Sequence, residues 1–483
     1  MIDLRPVGYV IGLLVAALGV TMIFPLVVDL LADNDHWSVF FEAGVVTTLF
    51  GALLALACAN ARRDRLTLQQ TFLLTTSVWV ALPIFGAIPF LLGPPDASLT
   101  DALFEAMSGM TTTGSTVFTG LETLPEGILL WRSMLQWFGG IGIIVVAMAF
   151  LPDLRVGGMQ IFRSEAFETM GKVLPRAADI AGRISVIYVA LTVACGLAYL
   201  LAGMTAFDAL NHALTTLSTG GFSTSDASMS VYRGAPEYVA AVFMILASLP
   251  FVRYVQFIAG TARPLFRDSQ VQTFLGVIAA AVLMMTAFRL VANGDPLGPA
   301  FREALFNLTS IATGTGYASA DYQLWGAFAV VVFFAMGFVG GCAGSTTCSV
   351  KIFRYQILFS AIRAQVRQIH SPHGIFVPRF EGRPVTEDVL NSVIAFFMMF
   401  VLSVGITSVL LAITGLDIVT SVSGAATAVG NIGPGLGPII GPAGSFAPLN
   451  DTAKWILIFA MLLGRLELMV VLVLFTTRFW RAA

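Results

Sequence analysis

The chain has 483 residues, 57% hydrophobic and only 11% charged, with a mean hydropathy of +0.86, a composition outside the soluble globular range that makes lipid its solvent. A net charge of -2 and a pI near 6.1 leave no basic surface for nucleic acid. Four scattered cysteines, Cys58, Cys195, Cys342 and Cys348, lack the close pairing of a zinc site or disulfide framework and read as free, buried thiols.

In chain order, ten apolar segments reach the spanning length of about 20 residues. They run approximately over 8–32, 38–60, 69–93, 128–151, 182–203, 237–260, 271–292, 325–350, 389–414 and 455–477. The first is too long for a signal-peptide core and is expected to remain as a membrane helix. Alternating the loops between two sides places 20 of the 26 Lys and Arg on one side: Arg5, Arg62, Arg63, Arg65, the stretches 155–183, 253–267 and 351–383, and Arg478 and Arg481. The opposite loops are acidic, with Asp96, Asp101, Glu122, Asp226 and Asp321 among them. The positive-inside rule then puts both termini in the cytoplasm, as expected of a multi-pass protein of a bacterial inner membrane.

The acidic-side loops are semi-apolar and end in glycine and threonine clusters. They read Asp101-ALFEAMSGMTTTGST, Asp208-ALNHALTTLSTGGFS, Glu303-ALFNLTSIATGTGYA and Asp417-IVTSVSGAATAVGNI, with a glycine thirteen residues after each acid: Gly114, Gly221, Gly316 and Gly430. Each is flanked by one apolar helix before and one after, so the repeat unit is helix, half-spanning loop, helix. The expected fold is all-α, with ten transmembrane helices: two extra N-terminal ones (1–65) and four pore repeats in pseudo-fourfold arrangement (66–155, 156–265, 266–370 and 371–483).

From acid to first filter residue is about ten residues, roughly 15 Å as helix and half of a hydrocarbon core about 30 Å thick. Such a segment dips and returns, and its extended return is permitted only where it lines a polar cavity or is buried in protein. Each acid suits the positive N-terminus of its short helix. Glycine lets successive carbonyls face one axis, where they replace the hydration shell of a cation. The candidate ion-binding residues are Thr112, Thr113 and Gly114; Thr219, Gly220 and Gly221; Gly314, Thr315 and Gly316; and Val429, Gly430 and Asn431. Two before the key glycine stand Thr112 and Thr219, but Gly314 and Ala428, so four equivalent threonine sites are not expected.

The loops TTTGST, STGGFS, ATGTGYA and AVGNIGPG, with their flanking helices, resemble the Trk/Ktr/HKT superfamily of potassium transporters, and the two extra helices resemble its TrkH-type subunit. The resemblance implies potassium uptake through a central filter, a homodimer, and a cytosolic nucleotide-binding regulatory subunit of the TrkA type. It also implies potassium preference from glycine at position 114, where serine goes with sodium. Potassium is then the only ligand expected, with no organic cofactor and no transition-metal site.

Two gate elements are expected. The eighth segment is interrupted by a small-residue run that includes Gly340, Gly341, Gly344, Ser345, Thr346 and Thr347 and resembles the family's intramembrane gating loop. Arg465 lies midway along the last segment, where a lone charge costs about 2.5 to 3.5 kcal/mol, and it is expected to face water, the pore or a partner. Glu467 is two residues on, off the same helical face. His370 and His373 are read as loop chemistry, and His212 as a packed residue of the second short helix.

Two competing classes stand beside a channel. A proton- or sodium-coupled potassium symporter would usually show inverted repeats, whereas these four share one orientation. An enzyme would need paired intramembrane carboxylates, a metal-spaced cluster or a nucleophile elbow, none of which is found.

Overall fold

The computed structural model describes residues 2–61, 66–149, 158–159 and 177–481. The basic residues Arg62, Arg63, Arg65 and those at 155–176 lie outside the described residues, as do the divisions drawn at 65/66 and 155/156.

Among the described residues, seven helices are long and apolar enough to cross a membrane: Arg5–Leu31, Trp37–Cys58, Leu68–Leu92, Glu126–Val146, Ala181–Leu201, Ser269–Asn293 and Glu387–Ile413. The chain is therefore a multi-pass membrane protein. An eighth span forms if Ala235–Ala247 and Phe251–Ile258, bent by 89° to each other, count together; Pro250 between them has no amide proton to continue the helical ladder. The other two expected segments are not continuous helices. That at 325–350 is helical only over Ala327–Met336, and that at 455–477 breaks after Arg465, where Glu467 and Leu468 both take positive φ.

Two N-terminal spans, α1 (Arg5–Thr21), continued as α2 (Ile23–Leu31), and α3 (Trp37–Cys58), touch along their backbones. A Cβ on Gly12 would lie 2.5 Å from the Ala55 nitrogen, and one on Gly51 2.3 Å from that of Ala16, so small residues set this contact.

Elsewhere long helices flank short ones. α4 (Leu68–Gly86) and α6 (Glu126–Ala149) enclose α5 (Leu99–Met110); α7 (Ala177–Leu201) and the bent pair α9 (Ala235–Ala247) and α10 (Phe251–Ile258) enclose α8 (Ala206–Leu217). α11 (Ser269–Phe288) leads to α12 (Leu297–Ala312), followed by α13 (Ala327–Met336) and α14 (Ile352–His370). α15 (Glu387–Ile413) leads to α16 (Ile418–Gly430), followed by α17 (Asp451–Arg465) and α18 (Met469–Leu474). A two-residue hairpin, Arg379–Phe380 against Arg383–Pro384, lies between α14 and α15.

The four short helices have 12 to 16 residues, roughly 18 to 24 Å and too short for a core about 30 Å thick. Side-chain caps start three of them: Ser98 Oγ accepts from Asp101 N, Thr205 Oγ1 from Asp208 N, and the Asp417 carboxylate from Val419 N and Thr420 N. Asp101 and Asp208 thus occupy the first turn, whereas Asp417 is itself the cap.

Candidate functional site

Past each short helix the chain makes two left-handed turns, at Thr112 and Gly114, Thr219 and Gly221, Gly314 and Gly316, and Asn431 and Gly433. The second residue of each pair, always a glycine, abuts a carbonyl of the next loop. A Cβ on Gly114 would meet Gly220 O at 2.2 Å, on Gly221 Thr315 O at 1.8 Å, on Gly316 Ile432 O at 2.0 Å, and on Gly433 Thr113 O at 3.0 Å. The contacts close into a ring in which every facing carbonyl belongs to the residue before the neighbouring glycine. Only residues without a Cβ allow this approach and this φ.

On the acid-rich side the ring opens into a cavity of about 330 Å³ lined by Gly114, Gly221, Gly316 and Gly433, with Arg132 and Asp226 on its wall. The loops beside it are clasped: Glu122 Oε1 accepts from Ser225 Oγ at 2.6 Å and Asp226 N at 3.0 Å, and the Asp226 carboxylate accepts from Gly120 N and Leu121 N. The Ser225 hydroxyl, with help from the Asp226 amide, holds the Glu122 carboxyl below the usual range.

Buried polar groups buttress the ring from behind. Arg132 Nε donates to Glu105 Oε1 at 2.8 Å and Nη1 to Ser223 O at 3.0 Å, and both side chains are buried. Glu105 in turn accepts from Thr116 Oγ1 and Val117 N. Gln136 brackets the second loop, donating to Gly220 O at 2.7 Å and accepting from Phe222 N at 3.0 Å. Asn431 Nδ2 ties the fourth loop to Thr113 Oγ1 and Met461 O, each at 2.9 Å.

The run 340–349 lies against the end of the ring away from that cavity. Thr346 Oγ1 is 3.2 Å from Thr219 Oγ1, and Cys348 Sγ is 3.9 Å from Thr112 Oγ1. Its backbone is held by the break between α9 and α10: Cys342 N donates to Ser248 O, Thr346 N to Ala247 O, and Phe251 N to Gly344 O. Each irregular segment satisfies amides and carbonyls that the other leaves open, which is what permits non-helical backbone at this depth.

Arg465 meets this run. Its Nη1 donates to Cys348 Sγ and to Thr346 O, its Nη2 to Gly139 O at 2.8 Å, and its guanidinium lies 5.3 Å from the Trp79 ring. Among the described residues no carboxylate lies within ion-pair range of it. Glu467 instead turns to Arg354 and, at 3.9 Å, to Lys351.

The geometry brings together Thr112, Thr113, Gly114, Thr219, Gly220, Gly221, Gly314, Thr315, Gly316 and Asn431, and sets Gly340, Gly341, Gly344, Ser345, Thr346, Thr347 and Arg465 on one side of them. It does not place Val429 and Gly430 there. Both are the last residues of α16, and Val429 O faces Gly464 of α17. The equivalent of Gly114 is Gly433, because Asp417 caps its helix where Asp101 and Asp208 sit in the first turn, while Glu303 is the seventh residue of α12 and does not occupy the helix start expected of it. Counting from the acid therefore falls three residues short. With that register, Asn431 rather than Ala428 matches Thr112. His212 is packed as expected, between Asp208 O and Ser223 Oγ. No group of three or more His, Cys, Asp or Glu able to hold a metal occurs among the described residues.

Residues 36–481 match the TrkH family, described as cation transport proteins. The chain is 44% identical to the Trk system potassium uptake protein TrkI of Halomonas elongata, covering 99% of this chain and 97% of that one. It is 36% identical to the Trk system potassium uptake protein TrkH of Escherichia coli strain K12, covering 99% of each. Among solved structures it superposes on the potassium transporter TrkH from Vibrio parahaemolyticus with a TM-score of 0.91, at 34% identity over 99% of this chain and all of that one.

Proposed function

Because the chain belongs to the TrkH family of cation transport proteins, we propose that it carries potassium into the cell through the four-glycine ring, as a gated pathway rather than a coupled symporter. The observation that supports this most is the closed sequence of glycine and carbonyl contacts through Gly114, Gly221, Gly316 and Gly433. Carbonyls fixed around one axis replace a hydration shell without any side-chain ligand. Thr112, Thr113, Gly220, Gly314, Thr315 and Asn431 complete the ion path.

In this reading the unit is ten membrane segments, two extra ones and four helix, re-entrant loop, helix repeats, with the breaks at 248–250, 337–351 and 466–468 interrupting three of them. The acid-rich cavity faces outside, and both termini face the cytoplasm of a bacterial inner membrane. The run 340–349 and Arg465 close the path from inside, since a guanidinium near the pathway raises the barrier to a cation. A homodimer and a cytosolic nucleotide-binding subunit of the TrkA type would set the opening.

The test is isotope flux in liposomes containing only this chain. Potassium should enter down its gradient without an imposed proton or sodium gradient. Uptake that needs either gradient overturns the channel-like reading, and no potassium flux in any gradient overturns potassium transport by this chain alone.

A further inference from the structure

A second cavity, of about 430 Å³, lies among α1, α4, α6 and α7, bounded by Leu14, Ala17, Leu74, Trp79, Phe138 and Val145. Its three hydroxyls have no proton to offer water, because Thr21 Oγ1 donates to Leu18 O, Thr75 Oγ1 to Thr71 O, and Ser185 Oγ to Ala181 O, each within its own helix, and only their acceptor lone pairs remain. A water needs two to four polar partners, so such a cavity stays dry or takes an apolar guest. Its walls belong to spans whose outer faces carry exposed Leu13, Val186 and Val193, and Leu14 and Ala17 are themselves at the surface. The medium at its mouth is therefore hydrocarbon.

Trp79 is 3% exposed and divides this cavity from the gate, with one side on the lining and its ring 5.3 Å from the Arg465 guanidinium. Met110, the last residue of α5, lines the cavity as well. We propose that this cavity holds the acyl chain of a membrane lipid, and that its occupancy biases the Arg465 barrier through the Trp79 ring. A guest shifts an equilibrium only by binding one state better. A chain pressed on Trp79 favours the state in which the ring stacks on Arg465, which is the closed one. The coupling rests on the reading of Arg465 as the barrier; the binding does not.

The experiment uses the full chain in phosphatidylethanolamine vesicles containing phosphatidylglycerol with a diazirine in its acyl chain, followed by mapping of adducts. Adducts are expected on Leu14 and Val145 as well as on outward Val186 and Val193. In Ala17→Phe and Gly142→Leu, which fill the cavity, the first pair should be lost and the second kept; a Cβ on Gly142 meets Trp79 only at 3.7 Å, an ordinary contact. Adducts confined to outward residues, or unchanged in both variants, overturn the site. Either variant should change potassium flux, and Trp79→Phe should abolish that change. Lining adducts with a flux change that survives Trp79→Phe overturn the coupling. A chain without any potassium flux defeats the proposed transport while the adduct map still decides the site.

Discussion

Arg465 Nη2 donates to the Gly139 carbonyl at 2.8 Å, and a Cβ on Gly139 would lie 1.9 Å from Met110 O. One cation on α17 is thereby fixed to α6 where that helix abuts the end of α5. Its other bonds run to Thr346 and Cys348 of the run 340–349, so it joins that run to the scaffold of the first loop.

Neutralising this side chain separates a barrier from a structural ion pair. Arg465→Ala should raise potassium flux per folded protein and lower the melting temperature less than loss of an ion-pair partner does, because it frees the carbonyls of Thr346 and Gly139 but strands no carboxylate among the described residues. Glu467→Ala is the contrast: it deserts Arg354 and Lys351 and should destabilise by about 3 to 5 kcal/mol, the cost of an uncompensated buried charge. Stability lost to the extent seen in Glu467→Ala, without higher flux, would refute its role as barrier.

The buttress behind the first loop makes a different demand. Removing either Arg132 or Glu105 leaves a buried charge, so each single change to methionine should cost about 3 to 5 kcal/mol, and the double change should cost less than the two combined. Because Arg132 also holds Ser223 O, all three variants should lose potassium preference. Thermal unfolding and relative potassium and sodium flux measure both effects; a double variant as unstable as the sum would show that the pair is not coupled.

The clasp at Glu122 gives a pH dependence of known sign. Its carboxyl titrates below the usual range, so its contribution is complete above the unfolded value of about 4.3 and is lost as pH falls through the lower folded value. The melting-temperature gap between wild type and Glu122→Gln should be constant from neutral pH down to about 5 and should shrink below about 4. A gap that closes between neutral pH and 5 would contradict this.

Apolar length and charge distribution made the membrane class and seven of the spans readable in the sequence. The breaks were harder: the small-residue run at 340–349 announced itself by composition, but the bend at 248–250 depends on carbonyls of Ala247 and Ser248 finding donors 94 or more residues away. Arg465 stood out as a lone charge, whereas Glu105 and Arg132 gained meaning only from each other across two helices, and Gln136 only from the second loop. Trp79 gave no sign at all, being one apolar residue in an apolar span.

The fourth loop shows why register was only partly legible. From cap to first left-handed residue is 14 positions in three loops, Ser98 to Thr112, Thr205 to Thr219 and Asp417 to Asn431. Aligning on cap residues, rather than on the acids, would have selected Gly433, because a serine, a threonine and an aspartate can serve one capping role.

That register makes a sharp prediction. At Gly433 φ is +105° and a Cβ would lie 3.0 Å from Thr113 O, so Gly433→Ala strains a left-handed residue, by roughly 1 to 2 kcal/mol, and pushes on the first loop. Gly114→Ser should act similarly from the other side, since its Cβ would stand 2.2 Å from Gly220 O. Gly430 has no such constraint: its φ is not left-handed, and the nearest atom to an added Cβ is the flexible end of Ile432 at 2.8 Å. Potassium-to-sodium preference in liposome flux should therefore fall in Gly433→Ala and Gly114→Ser and persist in Gly430→Ala. Preference lost in Gly430→Ala but kept in Gly433→Ala would restore the register counted from the acid and remove Gly433 from the ring.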